Sequence, residues 1–197
     1  ARTFQINTLF PNLTALEYRA VTVRGTYDFA NQVALLNYYN EGLYGYHLLT
    51  PLLLADGRAV LVDRGWIPAD GNGTPSGWSR YDGAAQAEVQ GVMRLGVTKA
   101  PFGGRADPTL APGQTRLDFW NFIIFERISQ QIPYPILSVY IQPNPDPADT
   151  EPPIPSQPEI EITEGPHMGY AIQWFFFASL LLIGYPFYLH KQETTRP

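Results

Sequence analysis

Apolar residues follow two different rhythms along this chain. As far as Pro143 they come in short runs with the period of strands. "YRAVTVRGTYD" (18–28) alternates apolar and polar positions and predicts a half-buried strand ending at Gly25. "QVALLNYY" predicts a second strand. "YGYHLLTPLLLADGRAVLVDRGWIP" reads as a hairpin, two apolar runs joined across Asp56-Gly57, the pair favoured in a type I′ turn. "AEVQGVMRLGV" (87–97) and "ILSVYIQP" (136–143) predict two more strands. Between them "DFWNFIIFERISQQI" (118–132) has apolar residues at 119, 122, 123, 125 and 128. With Asp118 as cap and Pro133 as stop, it predicts a short helix.

The second rhythm begins after Pro166. Residues 169–189 contain no Asp, Glu, Lys or Arg, and as a helix they span roughly 30 Å, the hydrocarbon thickness of a bilayer. Trp174 near one end and Tyr185 and Tyr188 near the other suit the two membrane interfaces. The fold class expected is mainly β: a small antiparallel barrel or sandwich with one short helix, followed by a transmembrane helix. The organisation expected is a β-domain over 1–142, a Pro-rich acidic linker over 143–165, the membrane helix over 166–190 and a tail over 191–197. Residues 69–83, rich in Gly, Asp, Asn and Ser, read as a long exposed loop. Residues 143–158 carry seven prolines and read as a stiff extended linker running to the membrane.

Composition narrows the classes. Nineteen prolines and seventeen glycines in 197 residues argue against a helical bundle. The chain has no cysteine, so disulfides, thiol chemistry and cysteine zinc sites are excluded. A net charge of −5 gives no basis for a nucleic-acid partner. Around the apolar helix, Lys191 and Arg196 follow it, whereas 143–166 holds six acidic residues and no basic one. The positive-inside rule then puts the tail in the cytoplasm or an organelle matrix and the β-domain on the other side of a bacterial or mitochondrial inner membrane. The opening "ARTFQINTLF" has no Met and no apolar signal core, so a cleaved signal or a preceding first membrane helix is expected.

Signatures of catalysis are lacking: there is no GxSxG, HExxH, P-loop or dinucleotide fingerprint. "ADGNGTPSG" has Thr74 and Pro75 where a calcium loop needs a ligand and a glycine. His47, within an apolar strand, reads as a packed and satisfied histidine. Asp63, Arg64 and Trp66 read as a strand-end ion pair beside a packed indole. No catalytic residue is assigned. His167 is different. Pro166 before it suits a helix start, which places His167, Tyr170, Ala171 and Trp174 at i, i+3, i+4 and i+7 on one face. Such a face fits a planar macrocycle, with imidazole, largely neutral at pH 7, reaching its iron. The bland alternative is a polar anchor beside a stripe of packing aromatics.

Taken together, "YRAVTVRGTYD", "GYHLLTPLLLADGRAVLVDRGWIP", "VQGVMR" and "EGPHMGYAIQW" resemble the surfeit locus protein 1 family, assembly factors of cytochrome c oxidase. The resemblance runs from about Glu17 to Trp174. It implies a domain outside the membrane held between two helices, a role in haem a delivery to oxidase subunit I, and contact with haem a at His167, with Tyr170 and Trp174 beside it. The partners implied are subunit I, neighbouring oxidase subunits and membrane lipid. A second reading is a structural accessory subunit that stays bound to a respiratory oxidase or supercomplex. The family's first membrane helix is expected to precede Ala1, and the acidic linker is longer than usual for the family.

Overall fold

A computed structural model describes residues 17–98, 107–110, 113–155 and 167–194, without the side chains of His167 and Glu193. The expectations for residues before Glu17, for 156–166 and for Arg196 lie outside the described residues. Contacts divide the chain into two units, 1–157 and 158–197. The first is a seven-stranded sheet: β1 (Ala20–Tyr27), β2 (Val33–Asn40), β3 (Leu43–Leu53), β4 (Ala59–Pro68), β5 (Gln86–Arg94), β6 (Phe119–Trp120) and β7 (Ile136–Pro143). The second contains one long helix.

The sheet order is β1-β5-β7-β4-β3-β2-β6, and β1 also pairs with β3. Five strands therefore close on themselves into a small barrel, with β2 and β6 continuing outward from β3. Neighbours run antiparallel except β4–β7 and β2–β6. Closure happens at Gly25. β1 pairs with β5 from Ala20 to Thr26 and with β3 at Thr26↔Leu53 and Tyr27↔Leu52. A Cβ on Gly25 would collide with the Leu53 carbonyl, so only glycine lets the two backbones meet. The strand predicted to stop at Gly25 instead continues through it to Tyr27. Pro51, with no N–H to leave unpaired, falls where β3 changes neighbours from β2 to β1.

Two turns also differ from expectation. The β3–β4 hairpin does turn at Asp56-Gly57, but Gly57 alone has positive φ (82°) and its N–H donates to the Leu54 carbonyl at 3.1 Å. That is a type I turn with glycine in the left-handed position, not type I′. The two-residue turn with both central residues left-handed lies elsewhere, at Glu41 (φ 50°) and Gly42 (φ 80°), joining Asn40↔Leu43 between β2 and β3.

Apolar residues pack in three groups. Val21, Val23, Leu52, Val60, Val62, Val89, Met93, Val139 and Ile141 fill the barrel. Leu35, Leu49 and Leu61 are covered by Trp120, Ile123, Phe125, Ile128 and Ile132. Their source is the segment 118–132, which is not the single short helix expected. Its start pairs as β6, and only α1 (Phe125–Ile128) plus one 3-10 turn (Ser129–Gln131) are helical. The cause is tertiary. The Asp118 carbonyl accepts from Ala34 N–H, and Asp107 accepts from the N–H groups of Asn121 and Phe122, holding 118–122 extended against β2.

The third group is Ala34, Leu48, Ile67 and Trp78. Trp78 belongs to 69–83, so the expected exposed loop is anchored by a fully buried indole, donating to the Asn72 carbonyl, with a 3-10 helix at Pro75–Tyr81. The Pro-rich segment also stays on the domain as far as Pro155. Trp66 and Ile154 exchange N–H···O bonds of 2.8 and 2.9 Å. A Cβ at Gly65 (φ 117°) would strike Ile154, so this strap too depends on a glycine. The linker expected from Pro143 is therefore folded back over its first dozen residues, because its backbone completes the ladder at Trp66.

Trp78→Ala removes the largest fully buried side chain. We expect a loss of about 3–5 kcal/mol in chemical denaturation, with amide exchange accelerating first in 69–83. A loss under about 1 kcal/mol would mean the indole does not anchor this loop.

Candidate functional site

α2 (His167–Thr194) begins at the histidine, immediately after Pro166, as the spacing predicts. Within it Met168–Gln192 contains an 18-residue window of mean hydropathy 1.5, none of it buried, so the helix is long and apolar enough to cross a membrane. A helix apolar on every side and uncovered by protein suits lipid as its surrounding. Ser179 returns its hydroxyl to the Phe175 carbonyl at 2.8 Å, satisfying one of the few polar groups within the helix itself. Pro186 lies inside the helix near its far end.

Helical spacing puts Tyr170 and Trp174 on the face that His167 opens. Tyr170 is 57% and Trp174 71% exposed, and the Trp174 ring meets Phe177 edge-on at 6.4 Å. The aromatic face is thus open along one side. Of the other two histidines, His190 lies near the opposite end of α2 and His47 is buried in the β-domain. No cluster of three or more His, Asp or Glu able to hold a metal ion occurs among the described residues.

The β-domain holds a second polar constellation that sequence reasoning saw only in pieces. His47 Nδ1 lies 2.9 and 3.0 Å from the two Asp63 carboxylate oxygens, both residues buried, and its ring stacks on Tyr38 at 3.8 Å. So His47 is a packed and satisfied histidine, its partner being Asp63. The expected pairing of Asp63 with Arg64 does not occur. Between Leu48↔Gly65 and Leu49↔Asp63 the register slips by one residue at Arg64, a bulge that sends Arg64 to the other face. There its guanidinium sits 5.0 Å from the Phe29 ring and 5.6 Å from the Tyr27 ring, and donates to the Tyr81 carbonyl. Burial lowers the Arg64 pKa. Trp66 is the packed indole expected.

Burial, with the Asp63 charge adding to it, raises the Tyr38 phenol well above its ordinary value. Burial likewise pushes Tyr140 up to about 12, against the opposing charge of Arg94. Both phenols therefore stay neutral across the physiological range. The His47–Asp63 pair is geometrically two-thirds of a hydrolytic triad, yet among the described residues no hydroxyl nucleophile joins it. Tyr38 occupies the ring's flank instead. The signal that could have found the pair is the hairpin register, which needs the bulge at Arg64 to be known.

With both arrangements defined, similarity to known proteins can be placed on them. The family model of the SURF1 family matches residues 3–179, which takes in the β-domain, His167, Tyr170 and Trp174. The chain belongs to the SURF1 family. Surfeit locus protein 1 of Xenopus tropicalis is 25% identical over 179 residues, covering 81% of this chain and 54% of that protein. Surfeit locus protein 1 of Takifugu rubripes is 30% identical over 106 residues, covering 46% of this chain and 44% of that protein. The chain thus spans about half the length of the curated relatives it matches.

His47→Leu leaves Asp63 buried with its principal partner gone. We expect a loss of about 3 kcal/mol in denaturant unfolding, most of it recovered when Asp63→Leu is added. A double-variant loss equal to the sum of the losses in His47→Leu and Asp63→Leu would mean that the two side chains are not energetically coupled.

Proposed function

We propose that this chain is a membrane-anchored assembly factor for haem-copper cytochrome c oxidase, and that it is not itself an enzyme. It assists the delivery or insertion of haem a into subunit I, with subunit I and its neighbouring subunits as partners. The observation that carries this reading is that the family match continues past the β-domain and into the first half of the membrane-length helix, to residue 179. The helix face beginning at His167 lies inside that stretch.

In this role each part of the face has a separate task. His167 would hold the iron through one imidazole nitrogen, while Tyr170 and Trp174 would offer ring surface to the macrocycle. Haem a would supply an iron able to bind a neutral imidazole. A single protein ligand holds less firmly than a pair, which suits a carrier that gives up its cargo to a site with more ligands. α2 keeps the face at the membrane, where an apolar cofactor resides. Lys191 after the apolar stretch and the acidic residues before it support a β-domain outside the inner membrane of a bacterium or mitochondrion.

His167→Ala removes the donor without removing helix-forming capacity. As the sole copy it should accumulate normally, while the oxidase assembled beside it contains less haem a and loses activity in proportion. Trp174→Leu should do less, since coordination is intact. An oxidase with full haem and full activity beside His167→Ala would make the histidine an interface anchor. Stoichiometric retention of the chain on purified oxidase at high salt would then favour the stable accessory subunit.

A further inference from the structure

The β2–β3 hairpin ends in an exposed aromatic tip. Tyr39 is 68% exposed, Leu43 63% and Tyr44 39%, and the turn between them is Asn40-Glu41-Gly42. These side chains are not loose. Tyr39 meets Tyr44 edge-on at 5.4 Å, Tyr44 meets Tyr46 at 5.6 Å, Tyr46 meets Phe119 at 5.1 Å, and Phe119 meets Trp78 at 5.4 Å. A ladder of rings therefore runs from a fully buried indole out to the tip and fixes the outermost tyrosines. The left-handed Glu41-Gly42 turn holds the tip tight.

The same end of the barrel is where the chain leaves the domain. Ile154 and Pro155 lie against Gly65, and Ile154 pairs with Trp66. Trp66 stands opposite His47, and its indole occupies the space beside Gly45, two residues from Leu43. From Pro155 to His167 the chain has eleven intervening residues, which reach at most about 40 Å when fully extended. A domain tethered to a membrane helix by that length, from that end, has its aromatic tip within reach of a bilayer surface.

We infer that the β2–β3 hairpin tip inserts Tyr39, Leu43 and Tyr44 into the headgroup layer of the lipid bilayer. This rests on the anchoring part of the proposed function and on nothing about haem. The chemistry matches the interface: tyrosine presents an apolar ring and a hydroxyl that stays hydrated, and Leu43 adds a wholly apolar side chain. Between Tyr38 and Tyr46 there is one charged residue, Glu41, and no Lys or Arg. Attraction to anionic lipid therefore plays no part, and the contact forms on neutral phosphatidylcholine and withstands salt.

The absence of cysteine allows single-site labelling. The full chain, one copy per phosphatidylcholine nanodisc, is spin-labelled at Glu41→Cys, at Asp56→Cys in the opposite turn, or at Ser179→Cys in α2. Collision with a water-soluble nickel chelate should be about ten-fold lower at 41 than at 56, at low and high salt alike. Tyr39→Ser with Leu43→Ser, two exposed changes, should restore collision at 41. Equal accessibility at 41 and 56 with 179 protected would overturn the inference while leaving the anchor standing. Free access at 179 would overturn both. Protection at 41 only after adding oxidase, or only in discs holding two chains, would assign the tip to a protein partner or a second copy and overturn the lipid contact.

Discussion

Barrel closure at Gly25 is the constraint on which the rest of the β-domain depends. Because β1 carries no side chain there, it passes from β5 to the far half of β3, and the sheet's two edges meet. Closure gives Val21, Val23, Val60, Val62 and Val89 an interior to fill. It also occupies only Leu52 and Leu53 of β3, leaving the rest of that long strand to take β2. With β2 in place, the outer faces of β3 and β4 need cover, which 119–132 and the Trp78 loop provide. An open sheet of the same strands would have left an unpaired edge beside an apolar face.

The second device is the bulge at Arg64. One extra residue in β4 directs Asp63 toward His47 on one face and Arg64 toward Tyr27 and Phe29 on the other. Two charged residues adjacent in sequence, Asp63 buried and Arg64 partly buried, thereby lie in separate surroundings, each with partners of its own. The next residue, Gly65, leaves room for Ile154, so this irregular stretch also fastens the Pro-rich segment.

What could be read from the sequence divides along the same line. Val33–Asn40 and Ile136–Pro143 were legible as short apolar and aromatic runs of strand length, although their burial does not alternate cleanly. The start of α2 at His167 was legible from Pro166 and the charge-free run that follows. The helix over 118–132 was misread because its 3.6-residue pattern is broken by long-range bonds from Asp107 and Ala34, which no local window contains. The left-handed Glu41-Gly42 turn was hidden because Asn-Glu-Gly-Leu lacks the usual Asn-Gly or Asp-Gly pair. Of the candidate site, the helical face was legible from spacing alone. The His47–Asp63 pair was not, since the one-residue slip at Arg64 follows from tertiary packing.

These features describe a rigid β-domain tied to a membrane-length helix whose first residue is the proposed haem a ligand. The domain's only buried histidine is committed to Asp63, and its neighbouring phenols are held neutral, so the chemistry proposed for the chain falls to the helix. The most direct measurement is the absorption spectrum of the full chain purified from cells that also express haem a synthesis. The account predicts a haem a-type spectrum at up to one haem per chain, lost in His167→Ala and retained in His47→Leu. A chain that purifies free of haem a under those conditions, or whose spectrum survives His167→Ala unchanged, would contradict it.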